Sequence, residues 1–501
     1  MGFSTTTHWQ YKEYEKTWEQ NKDVSCGLVK QKKEKYLPRK NLPKQALNSQ
    51  ENNQLNEFLN YKYDTQFWPM ARFVDFTRTT ISSWVGLIMA KRPTIQFTES
   101  DEDTLLDYLK VNADGSGNGL ETVSKLAIEA SIITGGGGFL VSMPNSSMTV
   151  QSIRDGSIAP MAKMYDRQNI LDWEAAFIAG RKQLTYLKLR EWEYYSDSDT
   201  SERIEKHIEF FLDNGSVRYE INRDKGHEPL YPAQETGDLI ENGVNAKSIP
   251  FYWFGANDND ETIDPAPITA IADLNIEHYQ LNAADVHQMW SGVTAQLHID
   301  HGTQSQVQVT DENGKLVSIV DYLNPDGIKV GVETAIHTIN GGRVELIQQN
   351  ADTPIRSKLE AIRDEARSIG AQMPGDVKNQ TATAASIEFG AVTSALITIS
   401  DNVSDAMNAV IKHIAMAISY NKIDQIKFAL NRNLITKTMD ANEIREIRES
   451  VMQRVMPLEL AYRRFREGGV FHGDVTFEEY KQYLEDDDGF FALIGAGNMP
   501  Q

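Results

Sequence analysis

The stretch Asp264-Pro265-Ala266-Pro267-Ile268-Thr269-Ala270-Ile271-Ala272-Asp273-Leu274-Asn275-Ile276-Glu277-His278-Tyr279-Gln280-Leu281-Asn282-Ala283-Ala284-Asp285-Val286-His287-Gln288-Met289-Trp290 decides how this chain is read. Ile268, Ala272, Ile276, Tyr279, Ala283, Val286 and Trp290 recur every three or four residues, so they share one face of a helix. Asp264 ahead of two prolines suits the N-terminal cap region of that helix.

Downstream the period changes. In 294–350, Gln306 to Thr310 and Lys315 to Val320 flank Asn313-Gly314, and Ala335 to Ile339 and Arg343 to Ile347 flank Asn340-Gly341-Gly342. Asn-Gly between strand-like runs predicts hairpins, because both central residues tolerate positive φ. Pro354 then opens a second helix to about Ala371, with Leu359, Ile362, Ala366 and Ile369 inward. Met373-Pro374-Gly375 breaks it, and a polar segment leads into the longest helical pattern in the chain, 384–420. Its stripe is Ile387, Ala391, Ala395, Ile399, Val403, Ala406, Val410, Ile414 and Ala417, and such a helix spans roughly 55 Å. Period alone suits equally a rod that crosses a domain and the core helix of a large enzyme. The whole reads as a small β-rich module between two helices, followed by a rod.

Upstream, 8–135 reads as mainly helical: Trp9 to Gln20, Glu51 to Tyr63, Phe73 to Ile88 ending before Pro93, and Leu120 to Ile133. Residues 138–223 are β-rich, with a hairpin turning at Asp213-Asn214-Gly215 and an exposed loop at Ser196 to Glu205. Beyond 420, Ala441 to Val455, Pro457 to Glu467 and Thr476 to Glu485 are helical. The fold class expected is α+β, predominantly helical.

Composition narrows the function. A chain of 501 residues exceeds what one core usually serves, and 40% hydrophobic residues are enough to build folded ones. The formal charge is −21, and basic clusters such as Lys30 to Lys35 are short. Sequence-specific DNA binding needs a cationic face and is not expected. The lone Cys26 excludes an internal disulfide framework and is read as a bystander thiol. No apolar run approaches a membrane span, and Met1 to Thr7 lacks a secretory signal. Met1-Gly2-Phe3-Ser4-Thr5-Thr6 matches the loose myristoylation pattern, but a polar tail is the reading adopted, with no membrane partner.

Chemical motifs were weighed against plainer readings. Gly135 to Gly138 lacks the Gly-Lys-Ser/Thr of a phosphate loop and is read as a helix-to-strand hinge. His298 and His301 lack the helical His-Glu-x-x-His context of a metal site. Asp258, Asp260, Thr262 and Asp264 have the spacing of a calcium loop's first half, but Ile263 replaces its turn glycine and Thr269 its bidentate glutamate. Glu191 and Glu193 are an ordinary pair in so acidic a chain. The expectation is a non-enzyme without metal or cofactor.

Several stretches in this order resemble the portal (head–tail connector) proteins of tailed phages, particularly a group common in short-tailed phages. They are Tyr36-Leu37-Pro38, Tyr61, Ala71-Arg72-Phe73, Gly86-Leu87-Ile88 before Arg92-Pro93, Gly135 to Val141 with Pro144, and Ile249-Pro250-Phe251 through Gly255. The central block Asp273 to Gln280 and Ala283 to His287 follows, then Thr381-Ala382-Thr383, Leu396 and Asn402-Val403. The resemblance covers about 30–420. It implies a portal fold with wing (1–264), a stem helix (265–293), a clip (294–352), a second stem helix (353–371), a tunnel loop (372–383), a spine helix (384–420) and a crown with C-terminal tail (421–501).

It further implies a homo-oligomeric ring of about twelve subunits at one capsid vertex, through which double-stranded DNA passes without sequence specificity. Implied partners are the major capsid protein, the scaffolding protein, the terminase large subunit and later a tail adaptor protein. The implied location is the virion, with assembly in the host cytoplasm. Asp376, Val377, Lys378, Asn379 and Gln380 would face DNA in the tunnel loop. A long C-terminal coiled extension, present in some short-tailed phages, is missing. Two other readings stay open: another virion connector component such as an adaptor, and a metal-dependent hydrolase using the Asp258–Asp264 cluster.

Overall fold

The computed structural model describes residues 7–37, 68–98, 104–144, 148–178, 180–196, 201–223, 234–241, 243–293, 296–300, 308–310, 314–319, 322, 343–347, 354–370, 382–432, 434, 441–453, 455–467, 470 and 476–482. Among them the helices of ten residues or more are α1 (Trp9–Ser25), α2 (Phe76–Ile88), α3 (Leu120–Thr134), α4 (Thr269–Val293), α5 (Pro354–Ser368), α6 (Ala382–Ala417), α7 (Ala441–Met452) and α8 (Leu458–Glu467). The strands are β1 (Thr94–Gln96), β2 (Gly136–Ser142), β3 (Met161–Asp166), β4 (Ile170–Ile178), β5 (Arg181–Ser196), β6 (Ser201–Asp213), β7 (Ser216–Arg223) and β8 (Gln234–Asp238). They continue with β9 (Ile240–Glu241), β10 (Val244–Asn245), β11 (Phe251–Gly255), β12 (Gln296–Asp300), β13 (Gln308–Thr310), β14 (Leu316–Ser318), β15 (Arg343–Ile347) and β16 (Lys427–Ala429).

The strands pair antiparallel. β4 to β8 form a five-stranded meander, β11-β2-β3 a three-stranded sheet, and the rest two-stranded pairs. The β6–β7 hairpin turns where the sequence predicts, with Asn214 at φ 50° and Gly215 at φ 79°. One face of the meander buries Trp173, Leu187, Leu189 and Phe210 under α1, whose Trp18 is fully enclosed. The larger core collects α2, α3, β2 and the C-terminal half of α6.

The hinge expected at Gly135 is present. Gly135 ends α3 at φ 81° and Gly136 opens β2. An added Cβ at Gly135 would stand 2.0 Å from the Asp264 carbonyl oxygen, so the strand runs hard against the loop that leads into α4.

Several expectations need correction. α4 starts at Thr269, not beside Asp264. Pro267 disfavours helical backbone at Ala266, and the Asp264 carboxylate turns back to accept from the Asn257 and Asp258 amides. Ile369 is 38% exposed because α5 ends at Ser368 and Gly370 turns at φ 96°. In α6, Ala395 faces outward and Leu396 takes its place in the core, while Ile399, Val403, Ala406, Val410, Ile414 and Ala417 are buried as read. α6 begins at Ala382, two residues inside the segment read as a loop. Glu51 to Tyr63, Ala335 to Ile339 and Asp376, Val377, Lys378, Asn379 and Gln380 lie outside the described residues, and of the tunnel-loop reading (372–383) only 382–383 are described.

Candidate functional site

The most distinctive local arrangement is built on α4 and α5. The apolar stripe of α4 is buried at Ala272, Ile276 and Tyr279, where it meets Val24, Val29, Tyr36 and Phe73, while Ile268 just before the helix joins the larger core. Polar side chains between them fasten the helix to the N-terminal segment. Fully buried Asn275 accepts from the Thr77 amide (3.1 Å) and hydroxyl (2.9 Å) through Oδ1, and donates to the Val74 carbonyl (2.8 Å). Asn282 accepts from the Arg72 amide at 2.6 Å, and Gln280 donates to the Tyr36 carbonyl at 2.9 Å. Gln20 donates to Asp273.

α5 lies antiparallel on α4. Arg356 approaches Asp285 at 3.8 Å, and Arg363 approaches His278 at 3.1 Å, one pair a helical step above the other. Lys358 reaches Glu277 at 3.4 Å. α4 contains no lysine or arginine, whereas α5 contains Arg356, Lys358, Arg363 and Arg367. Three of these four cations serve α4, and Arg367 pairs with Asp364 on its own helix. α5 exposes Glu360, Asp364 and Glu365, and beside them Arg356 (65%) and Lys358 (54%), so its outward face carries both signs.

The strands that follow α4 and precede α5 extend the pair. β12 begins three residues after α4 and ladders with β15, which ends seven residues before α5, from Gln296↔Ile347 to Asp300↔Arg343. Inside that loop β13 and β14 form the short hairpin read around Gly314, whose φ is 77°. The β12 partner of Arg343 to Ile347 was not read from sequence. His298 sits in β12 and His301 lies outside the described residues.

A buried arginine fixes the base of this arrangement. Arg167, 1% exposed, donates to the carbonyls of Asp260, Glu261 and Thr262 and lies 4.6 Å over the Trp253 ring. Burial pushes its guanidinium down to about 10, against the opposing pull of Asp264, Asp260, Asp258 and Glu261, so it stays charged. Asp260 caps the Thr262 amide at 2.7 Å. The Asp260 and Asp264 carboxylates are thus spent on backbone amides of their own loop, and Arg167 takes the loop's carbonyls. Among the described residues no group of three or more His, Cys, Asp or Glu side chains is arranged to hold a metal.

Glu191 and Glu193 also have structural work. Burial alone would raise Glu191, but Lys163, Lys206 and Tyr165 hold it down at about 2. Glu193 pairs with Lys206 (2.8 Å) and Arg223 (2.9 Å). Cys26 is an exposed free thiol. No described helix is long and apolar enough to cross a membrane.

Sequence reading missed Arg167, Asn275 and the His278–Arg363 contact. Asn275 and His278 carried a signal, since both are polar residues beside the buried stripe of a strongly periodic helix. Arg167 carried none.

Comparison with known proteins adds the following. A family described as "Domain of unknown function (DUF4055)" matches residues 267–417, the span from α4 to the end of α6. No curated protein matches the chain. Solved structures similar to it include "Virion of native gene transfer agent (GTA) particle", with 12% identity, 79% of this chain and 88% of the other covered, and a TM-score of 0.38. "Neck of empty GTA particle computed with C6 symmetry" gives 13% identity, the same coverages and a TM-score of 0.39. With identities and scores this low, these likenesses by themselves define neither a fold nor a function.

Proposed function

We propose that this chain is a tailed-phage portal protein, one subunit of a ring that forms the channel for genome packaging and ejection. The observation that carries the reading is the run α4, β12, hairpin, β15, α5, followed by the 36-residue α6. An outgoing helix, a β module and a returning helix supply a stem and a clip, and α6 supplies the spine. The ordered sequence resemblance over about 30–420, which takes in this run, is what suggests the stem, clip and spine assignments. In this reading 1–264 is the wing, 265–293 and 353–371 the stem helices, 294–352 the clip, and 421–501 the crown and tail.

The electrostatics suit a conduit. The chain's formal charge of −21, with the α5 cations Arg356, Lys358 and Arg363 each facing a partner on α4, offers DNA few contacts and lets a duplex slide. The clip would dock the terminase large subunit and then the tail adaptor, with the major capsid protein and scaffolding protein around the wing. Lys378 in the tunnel loop would be the cation nearest the DNA.

Electron microscopy and native mass measurement of the purified protein test the reading. The expected particle is a ring of about twelve 56.5 kDa chains with a central opening. A monomer at all concentrations, with virions lacking the protein still filling normally, would overturn it. Within that reading, Lys378→Glu leaves the ring intact and alters DNA retention; normal packaged DNA would remove the tunnel-loop assignment.

A further inference from the structure

Gly86 stands in the last turn of α2, exposed, and nothing lies within 4 Å of where its Cβ would be. Glycine is the least favourable residue after proline within a helix. No described residue of this chain packs over this one. The same glycine lines a groove of about 360 Å³ between α2 and α3. Val85, Gly86 and Met89 contribute from the α2 side, and the α3 side is charged: Glu121, Lys125 and Glu129 follow each other at four-residue spacing, negative, positive, negative. Lys125 and Glu129 are 4.0 Å apart, the lysine exposed and the glutamate half-buried. Leu126, on the same outer side of α3, is 38% exposed.

A complementary surface occurs elsewhere in the chain. α8 buries Ala461 and Phe465 against α7, and its other side presents Leu460, Arg463 and Arg464, which share one stripe. Leu460 is 44% exposed. Arg463 pairs with Glu459 at 2.8 Å, and Arg464 makes no ion pair among the described residues. The stripe therefore offers one apolar side chain between a carboxylate and two guanidinium groups.

We infer that the α2–α3 groove receives α8 of a second copy of this chain. Leu460 would enter the gap left open over Gly86, Arg463 and Arg464 would meet Glu121 and Glu129, and Glu459 would meet Lys125. Two different surfaces of one chain then match each other, which makes a head-to-tail contact of the kind that closes into a ring. The exposed glycine gains a reason, since only glycine lets a partner side chain approach the helix backbone there. The inference rests on the ring reading above.

The test measures the assembly state of the purified full chain by native mass across a concentration series. Gly86→Leu is the first variant, because its side chain has room in the isolated chain. The expected result is a melting temperature unchanged or raised by about 1 °C, with an assembly midpoint raised at least about 30-fold. Glu121→Arg/Glu129→Arg and Arg463→Glu/Arg464→Glu each block assembly, and the chain carrying all four changes assembles again. A wild-type chain that never assembles sinks the ring reading and this contact together. A wild-type ring with an equally stable Gly86→Leu ring sinks this contact alone. If both charge reversals block assembly and the combined chain stays monomeric, α8 is not the occupant and the inference is wrong.

Discussion

Arg363 donates its Nε–H to Nε2 of His278 at 3.1 Å, joining α5 to α4 through an imidazole with no solvent exposure. The bond requires an unprotonated Nε2, so the ring proton sits on Nδ1. Burial, with Arg363 beside it, pushes His278 down to about 4 from its ordinary 6.5. The folded chain keeps a neutral imidazole down to about pH 4, whereas the unfolded chain protonates near 6.5. Stability from this group is complete above 6.5 and is lost as pH falls toward 4, by about 3 kcal/mol. His278→Gln keeps an acceptor for Arg363 and removes the titration. Melting temperatures measured from pH 7 to 4 should fall less steeply in that variant, and parallel curves would disprove the assignment.

Asn275 satisfies three polar groups in the contact between α4 and the start of α2. Asn275→Leu leaves the buried Thr77 amide without its acceptor, while the Val74 carbonyl keeps the Phe76 amide as a donor. The expected loss is about 1–3 kcal/mol, read as a lower urea midpoint with little change in slope. A loss under about 0.5 kcal/mol would mean that water reaches this contact.

Arg167 holds the loop ahead of α4 by a planar fork directed at three successive carbonyls. Lysine keeps the charge without the fork, so Arg167→Lys should recover less than half of what Arg167→Met loses, about 3 kcal/mol or more. Limited proteolysis supplies the local readout: cleavage within 257–264 should rise in both variants. Equal stability of the lysine variant and wild type would show that charge alone suffices.

Gly135→Ala combines a left-handed backbone with a Cβ 2.0 Å from the Asp264 oxygen. It should cost well over about 2 kcal/mol, because the obstacle is backbone and cannot swing aside. Gly215→Ala has a similar φ and open space around it, and should cost only about 1 kcal/mol. Thermal denaturation of the two variants separates steric from conformational cost. Equal losses would mean that β2 does not press on the loop before α4.

Local patterns made many elements legible. The β6–β7 turn follows from Asn214-Gly215, which both need positive φ. The stripes of α4, α5 and the later part of α6 follow from helical period, as the burial of Ile276, Ile362 and Val403 attests. Ends were less legible: Pro267 delayed α4 and Gly370 exposed Ile369, each through backbone preference that hydrophobic period does not encode. The DNA-facing residues read at 376–380 fall outside the described residues.

What the sequence determined by itself is the kind and order of elements: helix, β module, helix, rod, behind a helical and then β-rich half. Turn chemistry and apolar spacing act over a few residues, so they can be read without the rest of the chain. Only the tertiary structure decided the partners. It paired Thr94 to Gln96 with Lys427 to Ala429, set His278 against Arg363, and enclosed Arg167 beneath Asp260 to Thr262. These contacts join segments far apart in the chain, and a side chain's spacing along the backbone says nothing about which distant group will satisfy it.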